Sequence, residues 1–162
     1  MAELFTFEKT AEVLQRYAVE VRELYRQNLI KSDRLATENL LNSVHTEVVR
    51  DRTRIAVDMT LADYWGYVEY DTPPHWPPPS ALLQWITVRK IVPTPDARGR
   101  IPTPKQLAFL IGRKISEVGT KGSHDLRDAV KEINAKYERE IMAALDTDLG
   151  SAADAIISTF AR

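Results

Sequence analysis

The chain contains no cysteine, which excludes a disulfide framework, a thiolate metal site and a cysteine nucleophile. No apolar run approaches the roughly 18 residues that a membrane span needs. Met1–Thr6 has neither the basic nor the apolar segment of a secretory leader, so neither secretion nor membrane association is expected. Histidine is scarce. His45, His75 and His124 lie far apart, without the spacing of metal ligands, so no metal and no cofactor is expected. No G-x-S-x-G elbow is present. Gly119-Thr-Lys-Gly122 lacks the Walker spacing and follows a helix rather than a strand, so it reads as a helix-ending turn.

What remains is ordinary in bulk and uneven in detail. The 162 residues are 44% hydrophobic and 28% charged, the composition of one globular domain over 1–162. The net charge of −1 hides a division. Residues 1–88 carry 9 Lys/Arg against 13 Asp/Glu, 89–121 carry 8 against 2, and 122–162 carry 5 against 8. A basic middle between acidic flanks points to contact with an anionic partner or to charge pairing between subunits.

Periodicity supplies the elements. Phe7, Leu14, Val21 and Asn28 recur every seven residues, as do Ala11, Ala18 and Tyr25, which predicts an amphipathic helix over about 7–30. Leu35–Leu41 suits a short helix. Val44, Thr46 and Val48, then Ile55, Val57 and Met59, alternate with polar neighbours around Arg50–Thr53. That is a β-hairpin over about 43–60, which must pack on helices or join more strands. A short helix is expected over Leu61–Tyr70 with Asp63 near its cap, then a helix over Ser80–Ile91. Thr103, Pro104 and Gln106 form a helix-start signal with a capping box. A stripe of Leu107, Leu110, Ile111, Ile115 and Val118 follows, and Gly119 is placed to end that helix. Leu126 to Phe160 keeps helical spacing, with a kink or break expected at Gly150. The fold class is α+β and helix-dominated, with a small antiparallel sheet.

The densest chemical signal is aromatic. Tyr64, Trp65, Tyr67, Tyr70, Trp76 and Trp85 crowd one stretch with Pro73, Pro74 and Pro77–Pro79. They read either as a local core propped by prolines or as interface anchors. The stretch 61–88 has no Lys or Arg, which argues against stacking of single-stranded bases. Glu69, set among these rings, has the setting of a general acid. With no second carboxylate placed by a motif, it reads better as a structural carboxylate accepting hydrogen bonds.

At Tyr67-Val-Glu69, with Thr72 following and Leu40-Leu-Asn-Ser43 ahead of the hairpin, the chain resembles the neck or tail-completion proteins of tailed bacteriophages. That family shows Leu-x-x-Ser before a hairpin, then Tyr-Ala-x-x-Val-Glu-x-Gly-Thr, then a proline-containing segment. Gly66 stands here where Ala is common, and Asp71 where Gly is usual. The resemblance covers about 35–130, leaving the N-terminal helix (1–31) and the C-terminal segment (123–162) outside a connector-like core over 32–122.

The resemblance implies a non-enzymatic virion protein, made in the bacterial cytoplasm and assembled as a homo-oligomeric ring at the head–tail junction. Its partners would be further copies of itself, the portal or head-closure protein, and tail tube or tail terminator proteins. On this reading Tyr67, Glu69, Tyr70, His75, Trp76 and Trp85 form the partner interface. Arg89, Lys90, Arg98 and Arg100 face packaged DNA non-specifically, or a neighbouring subunit. The alternatives are a DNA-binding module built on 89–121, a minor tail or morphogenesis factor, and an enzyme using Glu69 and His75.

Overall fold

In the computed structural model, which describes residues 7–33, 38–51, 54–95 and 97–160, two long helices form the spine. Helix α1 runs from Glu8 to Lys31 and α6 from Asp125 to Phe160. They lie antiparallel, as Thr10 meets Asp148, Glu20 meets Lys136, and Asn28 meets Asp125. Of the stripe expected in α1, Ala18, Val21 and Tyr25 are buried while Phe7, Ala11, Leu14 and Asn28 are half-buried; Val13 and Leu29, outside that stripe, complete the inward face. Val13 and Val21 pack with Ile133, Tyr137 and Ala144 of α6. Tyr17 and Tyr137 meet edge to face at 5.9 Å. Arg16 pairs with Glu140 across the seam, and Glu20 accepts bonds from Lys136 Nζ at 2.5 Å and Tyr137 Oη at 2.8 Å.

A second apolar cluster closes the other end of this pair. Tyr25, Leu29 and Ala129 pack with Leu40 and Val44, and with the half-buried Leu61, Trp65 and Val68. Leu40 belongs to α2 (Asn39–Ser43); residues 35–37 of the short helix expected over Leu35–Leu41 lie outside the described residues. Strands β1 (His45–Arg50) and β2 (Ile55–Thr60) pair antiparallel from His45↔Thr60 to Arg50↔Ile55 and lie against α1. Arg52 and Thr53 of the expected link are outside the described residues. Ser43 Oγ donates to Leu40 O at 2.8 Å and accepts from Ala62 N–H at 2.9 Å, tying the two feet of the hairpin together. A two-stranded sheet is marginal alone; here the helix supplies the missing surface.

Three further helices complete the chain: α3 (Trp65–Glu69), α4 (Pro79–Val88) and α5 (Pro104–Val118). At α5 both halves of the capping box form: Thr103 Oγ accepts Gln106 N–H at 3.3 Å and Gln106 Oε1 accepts Thr103 N–H at 2.9 Å. Three boundaries differ from expectation. Helix α3 starts behind Tyr64 with no side-chain cap, so Asp63 does not cap it. Helix α4 stops at Val88, with Arg89 as its C-cap and Lys90 turned left-handed at φ 49°. Helix α6 passes through Gly150 without a break. A single glycine costs a helix about 1 kcal/mol, too little by itself to break one of 36 residues. Among the described residues, no helix is long and apolar enough to cross a membrane.

The start of α1 has no local side-chain cap; its cap comes from α6. Asp148 accepts Lys9 N–H at 3.2 Å, Thr10 N–H at 2.8 Å and Thr10 Oγ at 2.7 Å. Burial pushes this carboxyl up, but the Thr10 and Lys9 bonds outweigh it and hold its pKa below the usual value. Bonds from Lys136 and Tyr137 lower Glu20 in the same way. Groups with depressed folded-state pKa values contribute stability above their unfolded pKa and lose it as pH falls through the folded one. Unfolding free energy should therefore hold steady from neutral pH and decline below about pH 4. Asp148→Asn should cost about 1 kcal/mol at neutral pH and flatten that decline, as read by urea denaturation. A Cβ on Gly150 would meet open space at ordinary helical φ, so Gly150→Ala should raise stability by about 0.5–1 kcal/mol.

Candidate interaction surface

The stretch that carries the sequence motif is a clamp. Helix α3 ends on Glu69, whose carboxylate accepts Leu126 N–H and Arg127 N–H, both at 2.9 Å. These are orphan donors of the first turn of α6, and the helix dipole favours a negative charge there. The backbone continues the contact. Ser123 N–H donates to Val68 O at 2.8 Å, His124 N–H donates to Glu69 O at 3.1 Å, and Thr72 and Thr120 exchange bonds at 2.9 and 3.1 Å. Asp71 Oδ1 accepts Gly122 N–H at 2.8 Å and lies 3.4 Å from His124 Nε2.

The glycines of Gly119-Thr-Lys-Gly122 serve this closeness. A Cβ at Gly122 would sit 2.2 Å from Glu69 O, and one at Gly119, where φ is 72°, 2.1 Å from Thr72 O. Gly119 also ends α5, as the turn reading expected. Glu69 itself is 2% exposed. It is a capping carboxylate, as one reading of the residues anticipated. It is not part of an exposed interface, because both its oxygens are turned inward onto α6.

From this clamp the five prolines lead outward to α4 and α5, which pack chiefly on each other. Ile86 and Ala108 are buried between them. Gly112 faces Trp76 and Leu82: a Cβ there would lie 3.6 Å from Trp76 Cζ2 and 3.4 Å from Leu82 Cδ1, ordinary contact distances. Trp76 and Phe109 have ring centroids 5.7 Å apart. Between them lies an almost wholly apolar groove of about 320 Å³, walled by Pro77, Pro79, Leu82 and Leu83 with Lys105 on its rim. A second, larger groove of about 820 Å³ shares Phe109 and Lys105 and runs along Pro93, Pro95, Arg100 and Leu110.

The aromatic residues do not form one cluster. Trp65 is half-buried on the core with its ring 5.6 Å from Tyr70. Tyr64, Tyr67 and Tyr70 are exposed around α3, Tyr67 at 77%. Trp76 (49% exposed), Trp85 and Phe109 present ring surface from the α4–α5 pair. His75 is exposed, with Nδ1 2.9 Å from Pro73 O.

The basic residues also separate. Arg89 is turned back onto Asp33, with bonds at 2.9 and 2.8 Å. It locks α4 to the end of α1 instead of facing a polyanion, which corrects its expected role. Lys90, Arg98 and Arg100 are exposed. Arg113 lies 3.7 Å from Glu117. Among the described residues, no three His, Asp or Glu side chains converge on a metal-sized site.

Sequence reasoning missed Phe109 and misplaced the inner face of α5. Leu110 and Val118, assigned to the buried stripe, are exposed, while Ala108 and Gly112 are buried. The small pair Ala108-x-x-x-Gly112 was the available signal, since small residues one helical turn apart admit a neighbour closely. The chain matches no protein-family model, no curated protein and no solved structure.

Glu69→Ala takes the charged acceptor from two part-buried N–H groups and should cost about 2 kcal/mol. Gly122→Ala should cost more than about 1 kcal/mol, because the new methyl group meets backbone. Urea denaturation of both variants checks this. Loss of less than half these amounts would mean that the clamp yields easily.

Proposed function

We propose that this chain is a structural, non-enzymatic subunit of the head–tail junction of a tailed bacteriophage, in which copies form a ring. The α4–α5 surface joins neighbouring copies, and the exposed Tyr67 and Tyr70 around α3 face the adjoining layers, the portal or head-closure protein on one side and tail proteins on the other. The observation that carries this reading is the exposed Trp76–Phe109 platform on a proline-stiffened segment clamped to the core. Large apolar patches on a soluble chain mark interaction sites, and tryptophan anchors dominate binding energy. Because the prolines and the clamp fix the segment before contact, docking loses little conformational entropy. The ordered resemblance of Leu40–Ser43, Tyr67–Glu69 and Thr72 to the neck proteins supplies the biological setting. Exposed Lys90, Arg98 and Arg100 suit contact with a neighbouring subunit or with DNA passing through the ring.

The test is location. Immunogold labelling of particles of the phage that encodes the chain should mark the junction between head and tail. Complementation with Tyr67→Ala or Trp76→Ala should raise the fraction of unjoined heads and tails, with Tyr67→Ala leaving the circular dichroism spectrum unchanged. Intact particles that lack the chain would overturn the proposal.

A further inference from the structure

Helix α6 carries two apolar faces. One is buried: Ile133, Tyr137, Ala144 and Ala152. The other is exposed. Met142, Leu149, Ala153, Ile157 and Phe160 fall within a single stripe at 100° per residue, with Ile157 65% and Phe160 87% exposed. Asp148 sits at the start of α1, so about twelve residues of α6 run beyond that contact. Residues 141–160 hold no Lys or Arg, and besides Asp148, which is taken up by the α1 cap, they carry the exposed Asp146 and Asp154.

The α4–α5 grooves are the complement of that tip. Both reach Phe109 and both are lined by Lys105; the smaller is almost wholly apolar and the larger is mixed, with Arg100 in its lining, in the stretch with 8 basic residues against 2 acidic. A volume of about 320 Å³ beside Trp76 accommodates a phenylalanine ring.

The tip cannot fill its own groove. Seven residues separate Trp76 from Glu69, a reach of at most about 25 Å, and Glu69 is bonded to Leu126. Phe160 lies about 51 Å along the helix from Leu126. We infer that the exposed stripe of α6, from Leu149 to Phe160, seats in the α4–α5 groove of a second copy of this chain. The two surfaces differ, so the contact is heterologous and repeats from copy to copy, closing into a ring when the rotation permits. The inference rests on the ring reading above and names the contact that joins the subunits.

Native mass spectrometry and light scattering of the full chain test it. Wild-type chain should self-associate, and Ile157→Asp/Phe160→Asp should weaken association about tenfold or more with unchanged helicity. Lys105→Glu should weaken it from the groove side. Because the chain lacks cysteine, Ala153→Cys and Lys105→Cys proteins, mixed and treated with a short bis-maleimide, should cross-link to each other in preference to themselves. A chain that stays monomeric at high concentration, or association indifferent to both sets of substitutions, or absence of the mixed cross-link overturns the contact. Any of these with the chain still found at particle necks leaves the head–tail reading standing. Chain absent from particles removes that reading whatever the cross-links report.

Discussion

Each long helix of this protein begins at a carboxylate that belongs to another element. Asp148 of α6 closes the first turn of α1, and Glu69 at the end of α3 closes the first turn of α6. A helix start leaves four N–H donors without partners. Burying one against a fixed carboxylate converts that deficit into a positional constraint, because a charged acceptor cannot be withdrawn without exposing both sides of the bond. The two caps set where α1 and α6 lie along each other. The apolar seam then adds the bulk of the favourable burial.

The second cap has consequences beyond stability. By fixing α3 to the start of α6, Glu69 brings the 68–74 and 119–124 segments so close that glycine is required at 119 and 122. The proline run leaves this point in a set direction, and α4 and α5 are held away from the core by the clamp at one end and by Arg89–Asp33 at the other. A module so attached keeps its own apolar surface without being absorbed into the main core. The same carboxylate that reads as chemistry in a list of residues is therefore the mounting of the α4–α5 module.

Charge follows the same division. The basic stretch runs from the end of α4 through α5, and the last twelve residues of α6, beyond Asp148, carry Asp154 and no Lys or Arg.

The sequence by itself determined the elements whose rules are local. Most of the α1 stripe, the existence of the hairpin, the Thr103–Gln106 capping box and the stop at Gly119 depend on neighbours within a turn or a strand pair, whereas the pairing of Arg50 with Ile55 puts into β1 a residue expected in the link. Tertiary structure alone decided what depends on distant partners. Periodicity could not tell that α1 would be capped by a residue 138 positions away, or that α6 would pass through Gly150. Nor could it separate Trp65 from Trp76 into core and surface, or turn Arg89 inward and Phe109 outward. A side chain's type sets what it can bond to, but burial and partner are properties of the packed whole, and they were fixed only when two carboxylates had placed the long helices.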